Sequence, residues 1–172
     1  MNDWEKGKKW SDQFLPEIKS ILGVCLISEP PVEEDQKHNT DLIVLKLEAI
    51  RVACRIRRYE YLENYGDEFT IRSELPSGGK TELTKIIKGW GSYLFYGFAD
   101  ENEKTLARWA LLDLNIFRII FMRSLAKCKG RLPGTIKKNS DGSSLFRAFK
   151  LSDFPDEFIF KASPQRINYD LP

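Results

Sequence analysis

Histidine is nearly absent from this sequence. His38 is the only one, and it stands in an acidic, proline-bearing stretch, "EPPVEEDQKHNT" (29–40). A lone imidazole excludes Ser-His-Asp triads and His-rich zinc sites. Cysteine is scarce too: Cys25, Cys54 and Cys128 are odd in number, far apart and without a C-x-x-C. That excludes a disulfide framework and zinc-ligand spacing, and it reads as free thiols in a reducing compartment. Long apolar runs are missing, since nothing approaches the roughly 18 residues of a membrane span. The opening "MNDWEKGKKW" lacks the apolar core of a signal peptide. The expected location is the cytoplasm, with no membrane partner. Internal repeats and linker-like stretches are also lacking. The 172 residues are therefore expected to form a single domain, 1–172, with 1–12 and 163–172 as loosely packed termini.

What is present is a globular composition, 42% hydrophobic and 30% charged, which sets the chain apart from disordered sequences. Phe14, Ile18, Ile21, Leu22 and Cys25 recur at helical spacing and predict a helix over 13–23. "DLIVLKLEAIRVACRIRR" (41–58) predicts two strands around a turn at Glu48-Ala49, and "EFTIRSEL" (68–75) predicts a third. Leu83, Ile86, Ile87 and Trp90 predict a second helix starting at Lys80. "SYLFYGFAD" (92–100) reads as a buried aromatic strand and "LARWALL" (106–112) as its successor. Asp113 caps a third helix carrying Leu114, Phe117, Ile120, Phe121 and Leu125, and Gly130 ends it. Asp141-Gly142 predicts a hairpin between "GTIKK" and "LFRAFKL". The order α-β-β-β-α-β-β-α followed by a β-hairpin defines an α+β fold, a central mixed sheet flanked by helices.

"SGGKT" (77–81) ends like a phosphate-binding P-loop, but the first glycine of G-x-x-x-x-G-K-[ST] is replaced by Glu74. A carboxylate there would repel a phosphate, so no nucleotide triphosphate site is expected, although Lys80 beside a helix start could still meet an anion. "RVACRIRR" carries more information. A two-residue turn at Glu48-Ala49 puts Ile43, Leu45, Leu47, Ile50, Val52, Cys54 and Ile56 on one face of the hairpin. Lys46, Arg51, Arg55 and Arg57 fall on the other, with Leu42, Val44 and Ala53 between them. Arginine suits phosphate because its planar fork donates two parallel hydrogen bonds and keeps its charge. A second block runs from Arg123 to Lys138 through Lys127, Lys129, Arg131 and Lys137, without an acid. Two basic segments of this kind point to a polyanion, and nucleic acid is the natural one.

The order helix, three-strand meander, helix, strand, with Asp41 opening "DLIVL", resembles the core of the PD-(D/E)XK nuclease superfamily over roughly residues 13–100. The resemblance implies a metal-binding acid at Asp41 and an acid-x-lysine on the adjacent strand, together holding Mg²⁺ and a water. Glu17 matches an acid that some members carry on the first helix, and Arg55 stands in the place of the lysine. Ala53 occupies the position of the second carboxylate. Phosphodiester cleavage needs two or more carboxylates on the hard cation, and an arginine does not lose its proton to act as a base. The expectation is a nucleic-acid-associated protein, a binding or accessory protein with a degenerate site, whose partner is DNA before RNA. Its size fits an accessory protein of a phage or mobile element. The alternatives are a Mg²⁺-dependent DNA nuclease using Asp41 with Glu17 or Glu82, and a small structural or protein-interaction domain.

Overall fold

The computed structural model describes residues 3–28, 43–44, 50–75, 78–79, 81–139, 142 and 144–163. Two helices come first, α1 (Asp3–Asp12) and α2 (Leu15–Leu26), followed by the short strands β1 (Ile27–Ser28) and β2 (Ile43–Val44). β3 (Val52–Arg57) leads through a 3-10 turn into α3 (Leu62–Tyr65) and β4 (Glu68–Glu74). Then come α4 (Glu82–Ile87), β5 (Tyr93–Ala99), β6 (Leu106–Asp113) and α5 (Leu114–Lys127). The hairpin strands β7 (Thr135–Lys138) and β8 (Leu145–Lys150) precede a last strand, β9 (Ile159–Ala162). The class is α+β, as the sequence predicts. No helix among the described residues is long and apolar enough to cross a membrane.

The strands form a mixed sheet in the order β3-β5-β6-β9, an antiparallel sheet β4-β8-β7, and a β1-β2 ribbon. β5 explains the arrangement. Its run "YLFYGFA" is buried on both faces, and such a strand needs a neighbour on each side and a core above and below. Leu94, Tyr96 and Phe98 enter one core together with Phe69 and Ile71 of β4, Phe149 of β8, and Phe117 and Phe121 of α5. Phe95 and Ala99 enter the other, with Phe14 from the turn between α1 and α2, Ile18 of α2 and Leu111 of β6. The aromatic wealth of the chain is concentrated in the first core. There the Phe69 ring lies 5.3 Å from Phe149, 5.4 Å from Phe158 and 5.9 Å from Phe117.

The local pairing predicted for 41–58 is corrected by the structure. Among the described residues β2 pairs with β1, and β3 pairs with β5 in parallel register, Val52↔Tyr93 through Arg57↔Phe98. β4 leaves this sheet altogether and pairs with β8, Glu68↔Lys150, so the three-strand meander does not form. The reason is physical. Glu48-Ala49 offers none of the Gly, Asn or Asp residues that a two-residue hairpin favours, whereas β5 has an apolar edge to cover. The Asp-Gly hairpin does form, with Lys138↔Leu145 closing it. α4 opens at Glu82, with the Thr81 hydroxyl accepting from the Thr84 N–H as N-cap. The N-terminal residues, expected to be loose, form α1, and Trp10 packs against the second core.

The β5–β6 connection is organised by one carboxylate. Asp100 accepts from the Lys104 N–H at 2.7 Å, the Thr105 N–H at 3.2 Å and the Thr105 hydroxyl at 3.0 Å. The Lys104 hydrogen bond, with those from Thr105, holds its carboxyl below the usual carboxylate range. A depressed pKa in the folded state contributes stability above the unfolded value, about 3.9, and that stability is lost as the pH falls through the folded value. In an NMR titration the Asp100 carboxyl should change below the midpoint of an unstructured aspartate. A midpoint at or above about 4 would remove the role assigned to this turn.

Candidate functional site

β3 is an edge strand of the mixed sheet, and β4 is an edge strand of the other. The alternation along β3 decides what lies between them. Val52 and Ile56 turn toward the second core. Ala53 packs on the first core, and Arg55 and Arg57 follow it on the same face. β4 answers with its own alternation: Phe69 and Ile71 fill the first core, while Thr70 and Arg72 meet residues from β3 and α4.

Arg55 is the centre of this region. Its Nη2 donates to Glu82 Oε2 at 2.5 Å, and its Nη1 donates to the Thr70 hydroxyl at 3.4 Å. Glu82 Oε2 also accepts from the Arg72 N–H at 3.0 Å. Thr70 in turn shares a hydrogen bond of 3.1 Å with the Tyr96 hydroxyl. The chain of contacts therefore links β3, β4, α4 and β5 through side chains.

Cavities open on both sides of it. One, of about 560 Å³, is lined by Arg51, Arg55, Arg72 and Lys85 against a single carboxylate, Glu82, with Trp90 at its rim. The other, of about 280 Å³, is lined by Arg57, Lys137 and Lys138 against Glu68, among Tyr61, Tyr65, Tyr96 and Phe146. Glu82 is engaged by Arg55, and Glu68 lies 3.5 Å from Lys137. Among the described residues no carboxylate pairs with Arg51, Arg57, Arg72, Lys85 or Lys138. Two of these cations, Arg51 and Arg57, and the paired Lys137 also rest on aromatic rings. Arg57 sits 4.3 Å above the Tyr61 ring, Lys137 sits 4.3 Å above Tyr65, and Arg51 lies 5.8 Å from the exposed Trp90.

The residues singled out in the sequence divide accordingly. Arg51, Arg55 and Arg57 are brought to one cleft, although Arg55 is already paired. Asp41, Lys46 and Lys80 lie outside the described residues. Glu17 is separated from Arg55 by the sheet: α2 packs on the opposite face, where Glu17 Oε2 accepts the Leu106 N–H at 3.0 Å. Lys127, Lys129 and Arg131 are exposed at and beyond the end of α5 and line neither cavity. Lys137 and Lys138, from the same basic block, do line one.

Among the described residues Glu17 and Glu82 do not come together as a divalent-cation site. Glu17 and Glu82 stand on different faces, each already accepting hydrogen bonds, and no group of three potential ligands gathers among the described residues. Trp90, Arg72, Lys85, Tyr61, Tyr65 and Phe146 are site residues that reading the sequence strand by strand does not find. Part of the signal was there, because "RIRRYEYLENY" (55–65) sets three arginines directly before three tyrosines.

No protein-family model, no curated protein and no solved structure matches this chain. The nuclease resemblance thus has no family to be set against, and the cleft is read on its own geometry.

Proposed function

We propose that the chain binds nucleic acid, DNA before RNA, in the cleft between β3 and β4, as a binding or accessory protein and not as a nuclease. The observation that carries this reading is the balance of charge in the cleft. Arginines and lysines from β3, β4, α4 and β7 converge there against two carboxylates, both already engaged by cations. Charges that are merely solvated spread over a surface and do not converge on concavities lined with aromatic rings. Guanidinium forks suit phosphodiester oxygens, and aromatic faces suit bases. Glu82 and Glu17, the glutamates that would support Asp41 in cleavage, are spent on arginine and on backbone N–H groups, which favours binding over cleavage.

The test is the salt dependence of binding, read by fluorescence anisotropy of a labelled oligonucleotide. If Arg51, Arg57 and Arg72 each neutralise one phosphate, log Kd against log salt should have a slope of about 2 in magnitude on single strands. The double variant Arg57→Gln/Arg72→Gln should lower that magnitude by about 0.7 for each arginine replaced. An unchanged slope in a folded double variant would remove the cleft as the binding face.

A further inference from the structure

We infer that the smaller cavity is a pocket for one unpaired nucleobase, and that it makes the cleft selective for single strands over duplex. The inference rests on the proposed function and adds to it a location for the base and a preference between forms of nucleic acid.

Three observations carry it. The first is size and wall chemistry. About 280 Å³, walled by Tyr61, Tyr65, Tyr96 and Phe146, lies at the small end of ligand cavities, near 300 Å³. It holds one flat aromatic group and no helix. Arg57 and Lys138 stand at the same cavity, where they can meet the phosphate attached to that base.

The second observation is a count of hydrogens at the floor. Thr70 and Tyr96 are 7% and 5% exposed, and their hydroxyls bond to each other at 3.1 Å. Arg55 donates to Thr70 and accepts nothing in return. Two hydroxyls bring two hydrogens, and only one is used between them. The other has no acceptor among the described residues. Both residues line the cavity, so this hydrogen can turn into it, where a keto oxygen or ring nitrogen on a base edge would accept it.

The third observation is continuity. Arg55 lines the larger cationic cavity and donates to Thr70, which lines the base-sized one, so the two cavities lie side by side. Arg51 to Arg57 spans about 20 Å of strand at roughly 3.3 Å per residue, enough for the backbone of a few nucleotides to run past while one base turns inward. A base stacked inside a duplex cannot enter a recessed pocket without first being extruded. The same cleft should therefore hold a duplex through phosphates alone.

The experiment compares labelled oligo-dT, oligo-rU, a dT strand carrying abasic sites, and a DNA duplex, with the unaltered chain and the variants Tyr65→Leu and Tyr96→Phe. Tyr65→Leu removes a stacking wall, whereas Tyr96→Phe keeps the ring and removes only the hydroxyl. Circular dichroism and urea unfolding confirm that each variant is folded. The expected result is tighter binding of oligo-dT or oligo-rU than of duplex. Tyr65→Leu should weaken the intact single strands about tenfold. Tyr96→Phe should weaken them severalfold, with duplex and abasic affinities and all salt slopes unchanged. Comparison of dT with rU tells which sugar the cleft accepts, and preference for either supports the pocket. Equal affinity for single strand and duplex, or equal losses on abasic and intact strands, would overturn the pocket and leave the phosphate cleft standing. Absence of salt-dependent binding to any of the four would overturn both readings.

Discussion

Arg147→Met should lower the stability of the protein by about 3 kcal/mol. Arg147 belongs to β8 and is 7% exposed. Its Nη1 donates to the carbonyls of Leu132, Pro133 and Gly134 at 2.7, 3.1 and 3.0 Å. One buried cation thus ties the connection between α5 and β7 to the centre of its sheet. Methionine fills much of the space but leaves three carbonyls without a donor, and an unsatisfied buried acceptor costs about 1–3 kcal/mol. Leu132 and Gly134 lie at the surface, so water recovers part of the loss, which sets the figure at the lower end of the sum. The connection has no slack to find other partners. Gly134 has φ +84°, and a Cβ there would come within 2.7 Å of the Phe149 ring. Urea unfolding should give a lower midpoint at unchanged m-value. A loss under about 1 kcal/mol would mean that the loop holds itself without Arg147.

Glu82→Gln should move stability and binding in opposite directions. Glu82 is about one-quarter exposed and accepts from both Arg55 and the Arg72 N–H. Glutamine keeps the shape and a carbonyl oxygen for those donors, but charge-assisted hydrogen bonds become ordinary ones. The expected loss is about 1–2 kcal/mol. Arg55 then holds its positive charge without a counter-charge, in the wall of the larger cavity. Affinity for nucleic acid should rise about fivefold at low salt, and less at high salt because the gain is electrostatic. Stability is read from urea unfolding and affinity from anisotropy on the same preparation. If affinity falls together with stability, Glu82 orders the ligand site and does not merely neutralise it, and the charge argument fails at this residue.

The regular elements were largely legible because their signals are local. Asp113 does cap α5 through the N–H groups of Asn115 and Ile116, and the aromatic run at 93–99 is the buried β5. Asp141-Gly142 falls between the paired strands β7 and β8, as hairpin chemistry predicts. What could not be read was which strands meet. β3 pairs with β5 across some forty residues, and β4 pairs with β8 across some eighty, and no turn residue announces a partner so distant. The candidate site inherits the same division. The shared face of Arg55 and Arg57 follows from the period of two along β3. Their company does not: Arg72, Lys85, Tyr65, Lys138 and Phe146 arrive on other elements, placed only by the non-local pairing. Glu17 is the converse case. Its helix was foreseen, yet which face of the sheet that helix covers was not, and the covering sets Glu17 apart from Arg55.

The open edge of β3 has a consequence for how copies of this chain behave toward one another. Among the described residues β3 has a neighbour on one side only, and an unpaired edge rich in β-branched residues is a template for strand addition and aggregation. Val52 and Ile56 give β3 that character, while Arg51 and Arg57, paired with no carboxylate among the described residues, place positive charge along and beside it. Two such edges approaching one another would bring like charges together, which disfavours the pairing of β3 with a second β3. A neutral β3 would lose its counter-ions and its colloidal protection in one step, and a bound polyanion, by masking the same charges, would bring neighbouring copies within reach of each other along the strand it occupies.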